Sequence, residues 1–151
     1  METLDLSSKK IQDAAKKLDN AMEQKDTESA ISCFSDDCEI DLLSVHLKGK
    51  QGVRKWLAWL YEDLLNIKFE PITIMTDRNT FFEEYIIHST LMDGKQVQSK
   101  QAEVLIYDAT YKVKSLRVYF DRLDFADVVA HNFISRGVVK EIIDISVKGL
   151  T

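Results

Sequence analysis

The apolar positions of this chain keep a helical period through the first third and an alternating period through the middle. From Ser8 to Gln24, Ile11, Ala14, Ala15, Leu18 and Met22 recur at helical spacing with lysines and aspartates between them, which predicts an amphipathic helix. The stretch KDTESAISCF starts a second helix, capped by Asp26 or Thr27 and turning Ala30, Ile31 and Phe34 inward. Glu39 to Val45 reads as a short strand and HLKGK as a turn. Gln51 to Leu65 reads as a third helix with Val53, Trp56, Leu57, Leu60 and Leu64 on one stripe, widened by Trp59. After Asn66 the period falls to two. Strands are expected over residues 69–76, 80–92, 96–107 and 113–123, with Asp93-Gly94 as a two-residue hairpin turn. In the last of these, Leu116, Val118 and Phe120 alternate with Arg117, Tyr119 and Asp121. Residues 124–151 return to helix-like spacing, interrupted by Gly137. Helices followed by a run of long antiparallel strands predict an α+β fold, a curved sheet with helices on its concave face. A dead-end cavity between the two layers is a common ligand site.

Composition narrows the function classes. The chain has 151 residues, suited to one domain. We expect that domain to span 1–151, with a core over about 8–127 and an extension over 128–151. A net charge of −5 argues against nonspecific binding to nucleic acid or anionic membrane. No segment approaches the ~20 consecutive apolar residues that span a bilayer, and METLDLSSKK lacks an apolar signal core, so a cytoplasmic location is expected. Cys33 and Cys38 read as small buried hydrophobes. No glycine-rich phosphate loop, Ser-His-Asp arrangement or metal-ligand cluster is visible, and neither metal nor organic cofactor is expected.

Three short patterns carry a family resemblance: Phe34 followed by Asp36-Asp37, Gly49 with Gly52 at a helix entry, and Arg117-Tyr119-Asp121 in the closing strand. In this order they resemble the nuclear transport factor 2-like superfamily, its SnoaL-like branch best, over about residues 8–127. The resemblance implies a cone-shaped α+β barrel with a deep apolar pocket, often in a dimer. Its members include polyketide cyclases, ketosteroid isomerase, limonene-type epoxide hydrolases and proteins without catalysis. Position by position, Val118, Ile86 and His88 stand where the epoxide hydrolases carry their Asp-Arg-Asp machinery. Leu42 stands at the isomerase base, with Asp41 one residue early and so on the opposite face. The cyclases carry a His and an acid near His88 and Glu103.

These positions define the expected site. His88, alternating with Ile86 and Thr90, is placed on the concave face as acid or base, with Glu103 or Gln101 holding the substrate oxygen. With a two-residue turn His88 pairs with Ser99, and Glu84 with Glu103, which puts His88 and Glu103 on one face. The expected lining or core is Ile40, Leu42, Trp56, Leu60, Ile86, Leu105, Leu116, Val118 and Phe120. Each candidate also has a structural reading, His88 as a hydrogen-bonded core residue and Glu103 as a surface charge. Two functions stay open. One is a pocket for a small hydrophobic, carbonyl-containing ligand with cofactor-free proton transfer of the isomerase or cyclase type. The other is a non-catalytic binding or dimerisation module. A homodimer is expected through the outer sheet face, with Arg117 and Tyr119 in or near the interface.

Overall fold

A computed structural model describes residues 5–150. Residues 1–4 and 151, which the one-domain expectation includes, lie outside the described residues. Helix α1 (Ser8–Glu23) buries Ile11, Ala15, Leu18, Ala21 and Met22, the stripe its sequence period announces. Helix α2 (Thr27–Ser32) is capped by Asp26, whose carboxylate accepts from the Ser29 amide at 3.1 Å. Strand β1 (Phe34–Leu42) turns straight into β2 (Val45–Lys48), and helix α3 (Gly49–Glu62) follows. Strands β3 (Leu64–Asp77), β4 (Thr80–Leu91), β5 (Gln96–Tyr107) and β6 (Val113–Phe120) complete a six-stranded sheet of order β2-β1-β6-β5-β4-β3. All neighbours are antiparallel except β1 and β6, which run parallel. The fold is α+β, a curved sheet that does not close, with α1, α2 and α3 against its concave side.

Two turns differ from the sequence expectation, and each has a local cause. The β1–β2 turn is made by Leu43 and Ser44, both in the left-handed region at φ 51° and 64°. This is the conformation of a tight hairpin, but it is normally signalled by Gly, Asn or Asp, so the expected strand runs on to Val45 and the HLKGK turn takes the place of β2. The β4–β5 turn is one residue longer than a two-residue turn. The Leu91 amide donates to the Lys95 carbonyl at 2.8 Å, the Gly94 amide donates to the Leu91 carbonyl at 2.9 Å, and Gly94 sits at φ 86°. Met92-Asp93-Gly94 is therefore a three-residue loop ending in a left-handed glycine. It pairs His88 with Gln98 and Glu83 with Glu103.

That one residue decides which side chains point inward, because successive residues of a strand face opposite sides. Phe81, Glu83, Tyr85, Ile87, Ser89 and Leu91 of β4 are buried, while Ile86, His88 and Thr90 are on the other face. On β5, Gln101, Glu103, Leu105 and Tyr107 are buried. The core is continuous from α1 and α2 through Phe34, Ile40, Trp56 and Leu57 to Leu105 and Leu116. After β6 the chain makes a 3-10 turn (Arg122–Phe125) and the short helix α4 (Ala126–Val129), anchored by buried Ala126 and Ala130. Helix α5 (Phe133–Ser146) buries no residue. Among the described residues no helix is long and apolar enough to cross a membrane.

Gly52 lets the first turn of α3 lie directly on β2. A Cβ there would stand 3.0 Å from the Leu47 Cβ and 3.2 Å from the Leu47 carbonyl carbon. Gly52→Val is expected to destabilise the fold by ~1–3 kcal/mol through overpacking, read as a lowered urea midpoint at unchanged slope.

Candidate functional site

A cavity of about 280 Å³ lies between the concave sheet face, α1, α3 and α4. Its walls are apolar and rich in aromatics. Trp56, Trp59 and Leu60 come from α3, Leu42 from β1, Phe69 from β3, Val118 and Phe120 from β6, and Phe125 and Val128 from the segment after β6. Phe69 meets Tyr85, and Phe120 meets Phe125, edge to face at centroid distances of 5.5 and 5.9 Å. The rim is wet, with Trp59 51% exposed and Arg122 hydrogen-bonded to Ser44.

The floor is polar and buried. Glu103 and Gln101 of β5 line it beside Tyr85 of β4 and Asp19 of α1. The Tyr85 hydroxyl lies 3.3 Å from Gln101 Oε1 and 3.4 Å from Glu103 Oε2, sharing one proton between two acceptors. Gln101 Nε2 donates to Ser99 Oγ at 3.1 Å, and Ser99 donates to Asp124 at 2.7 Å. Glu83, across from Glu103 on the neighbouring strand, completes a group of three carboxylates with Asp19 and Glu103. One oxygen from each lies within 4.8 Å of the others. These are hard oxygen ligands of the kind a Mg²⁺ or Ca²⁺ ion takes, although no metal-ligand cluster could be read along the sequence. Residues 19, 83 and 103 come from a helix and two strands.

Burial sets the protonation of this floor. Burial, then the charges of Glu83 and Glu23, pushes the Asp19 carboxyl up to about 8. Burial alone raises Glu83 to about 7. Burial, then Asp19 and Glu83, holds Glu103 well above the carboxylate range, against the Tyr85 hydrogen bond that favours its ionised form. Like charges this close do not all ionise, so the floor holds protons near neutral pH.

Of the residues expected to form the site, Leu42, Trp56, Leu60, Gln101, Glu103, Val118 and Phe120 line the cavity. Ile40, Leu105 and Leu116 lie in the core behind the wall, at 0–1% exposure. His88 and Ile86 are corrected: the three-residue loop puts both on the outer face. There His88 Nε2 lies 2.5 Å from Glu70 Oε2, so His88 and Glu103 are on opposite sides of the sheet. Asp19, Glu83 and Tyr85 were missed. Asp19 carried a signal, since it stands four residues after Ala15 and three before Met22, within the buried stripe of α1. Glu83 and Tyr85 were lost with the face assignment of β4.

The sequence pattern of the SnoaL-like domain family matches residues 15–130. No curated protein is matched. Solved structures share the fold at low identity. The epoxide hydrolase/cyclase-like enzyme SalBIII of salinomycin pyran-ring formation superposes with a TM-score of 0.70 at 13% identity, over 78% of this chain and 95% of its own. A SnoaL-like polyketide-cyclase candidate from Shewanella denitrificans OS-217 gives 0.68 at 13% identity, over 81% of this chain and 98% of its own. A protein of ketosteroid isomerase-like fold from Catenulispora acidiphila DSM 44928, solved with trimethylamine, gives 0.68 at 10% identity, over 76% and 89%.

The raised carboxyls tie stability to pH. Folded Asp19 and Glu83 bind protons more tightly than their unfolded forms, whose ordinary values are 3.8 and 4.5. Their contribution is thus fully present below about pH 4 and is lost as pH rises through about 7 to 8. Asp19→Asn is expected to be nearly neutral at pH 5 and to stabilise at pH 9 by on the order of 1 kcal/mol or more, at about 2–4 °C of Tm per kcal/mol. Thermal melts of both proteins at the two pH values check this.

Proposed function

The chain belongs to the SnoaL-like family, and from that premise we propose that it binds a small, largely apolar molecule in the cavity and exchanges a proton with its polar end. The observation that carries this reading is the pairing of an apolar, aromatic wall with the carboxyls of Asp19 and Glu103 on the floor. A carboxyl kept protonated by burial donates a hydrogen bond or a proton, and an ionised neighbour accepts one. Two kinds of polar end suit such a floor. A carbonyl oxygen accepts from Glu103 while a neighbouring carboxylate takes a proton from the adjacent carbon, an isomerase- or cyclase-type step. A basic group takes the proton outright. Tyr85, itself held by Gln101, positions Glu103, and Trp56, Leu60, Val118 and Phe120 exclude water and hold the ligand body.

Acetophenone is a fitting neutral probe. Its binding raises Tm by mass action, and NMR in D₂O follows deuterium entering its methyl group. Glu103→Gln is expected to keep the fold and slow that exchange by ~10²–10⁴-fold, the usual worth of a positioned acid or base. Exchange no faster than in buffer, or unchanged in Glu103→Gln, removes the catalytic part and leaves a binding module.

The outer sheet face supports a second element of the reading, a homodimer. Met75, Phe82, Val104 and Arg117 stand in register across β3, β4, β5 and β6. Tyr119 in the next row is 59% exposed, and Arg117 Nε is buried without a partner. A row of apolar side chains beside an unsatisfied arginine suits an interface core. Light scattering at micromolar concentration is expected to give twice the chain mass of 17.4 kDa, and Val104→Lys to halve it. A monomer mass for the unaltered protein overturns the dimer.

A further inference from the structure

We propose that the ligand carries a carboxylate at the end opposite its floor-bound group, and that Arg122 and Arg117 hold it where the cavity opens beside the β1–β2 turn. This rests on the reading of the cavity as a ligand site and adds a second polar end to that ligand. The opening comes from the topology. Strand β1 pairs with β6 only as far as Asp41 with Arg117, whereas β6 runs along β5 to Phe120. Past Arg117 the edge of β6 therefore has no strand on the β1 side, and a groove lies there. Leu42, Leu43, Val118, Phe120 and Arg122 line both the groove and the cavity, so the two spaces adjoin. Beyond these residues the groove is lined by Asp41, Ser44, His46, Arg117 and Tyr119 among others.

Unmet donors select the anion. Arg117 Nε is buried and has no partner, and among the described residues the Arg117 guanidinium makes no hydrogen bond or ion pair. Asp41 stands beside it in the register, yet the Asp41 carboxylate is taken by His46 Nδ1 at 2.5 Å. Arg122 donates to the Ser44 hydroxyl at 3.2 Å, a neutral partner that orients the guanidinium without neutralising it. Asp63 also lines the cavity but makes no ion pair with Arg122 among the described residues. Arg54, by contrast, is matched by Glu28 at 2.7 Å. The groove thus sets two guanidinium groups against the single carboxylate of Asp41, in a chain whose net charge is −5. A guanidinium presents its N–H donors in a planar fork that fits a carboxylate on two bonds, and a buried donor is ordinarily paired. The turn points the same way. Leu43 and Ser44 hold left-handed backbone at φ 51° and 64°, where Leu43 lines the cavity and Ser44 holds Arg122. Backbone strain of this kind collects at ligand sites. The ligand class is a carboxylic acid whose apolar body fills the aromatic-walled cavity and whose far end meets the floor.

The test compares 4-acetylphenylacetate with 4-acetylphenylacetamide, molecules of one shape that differ in charge, by calorimetry and thermal shift on the full chain. The acid is expected to bind about tenfold more tightly than the amide, the usual worth of a hydrogen bond to a charged group. Arg117→Gln is expected to weaken the acid by about tenfold, and Arg122→Gln, which is more exposed, by about threefold. Neither is expected to change binding of the amide by more than about twofold. The first comparison needs only the unaltered protein, so a variant that fails to fold leaves the proposal open to refutation. Amide binding as tight as the acid overturns the carboxylate and leaves the cavity reading standing. Binding of neither overturns both. Sodium acetate that stabilises the protein through the two arginines but does not compete with the acid makes the groove a site for free anions and overturns the joined ligand. Arg117 also ends the row proposed for the dimer, so Arg117→Gln is checked by light scattering. Weaker acid binding at the mass of the unaltered protein supports the groove, and weaker binding only together with a change of mass overturns the part given to Arg117.

Discussion

The left-handed glycine that closes the β4–β5 hairpin is the constraint on which the rest of the structure depends. Gly94 at φ 86° admits a three-residue loop, and the loop length sets the pairing of β4 with β5. Because side chains alternate, that register sends Glu83, Tyr85 and Ile87 inward with Gln101, Glu103 and Leu105, and sends Ile86 and His88 outward with Gln98 and Lys100. A shift of one residue would bring a histidine to face the helices and expose a carboxylate. The chemistry of the pocket is therefore set at a turn remote from it.

That register turns two carboxyls, Glu83 and Glu103, toward the core, where they meet Asp19 of α1. Burying a carboxylate is unfavourable unless it is paired or protonated, and a leucine at position 19 or 83 would pack without this cost. The fold tolerates the arrangement because the acids hold protons near neutrality, because Tyr85 donates to Glu103, and because the aliphatic core around Ile11, Leu57, Leu105 and Leu116 is complete beside them. Local departures from packing rules concentrate at functional sites, and here the departure adjoins the aromatic-walled cavity. The same low dielectric that makes the acids costly makes them strong donors or acceptors for whatever enters.

The closing segment gives the cavity its last wall. Phe125 meets Phe120 edge to face, and Val128 lines the space next to it, while Ala126 and Ala130 tuck the short α4 against the body. Ser99 ties this segment to the floor through Asp124, so floor and rim share one hydrogen-bonded chain from Tyr85 through Gln101 and Ser99. Beyond Ala130 helix α5 contributes nothing to the site. It is held by its own capping box, Asn132 with Ser135, and by Arg136 Nε on the Ala130 carbonyl.

By itself the sequence determined what local periodicity can carry. The helical stripe of α1, the aromatic stripe of α3, the bounds of β5 and the α+β order follow from residue spacing, and the family patterns around Phe34, Gly49 and Arg117 belong to the same local information. Trp56 and Leu60 could be named as pocket or core residues from the legible apolar stripe of α3, whereas Leu42, Val118 and Phe120 were placed by the positions that the family resemblance implies. Strand β4 was different. Its residues 80–91 are apolar on both faces, with Phe81, Tyr85 and Ile87 against Phe82 and Ile86, so alternation alone left two registers. The Asp93-Gly94 pair chose the wrong one. Only tertiary structure decided between a two-residue and a three-residue loop, and only it brought Asp19 of a helix against Glu83 and Glu103 of two strands. Proximity across such distances in sequence is created by packing, and no local pattern encodes it.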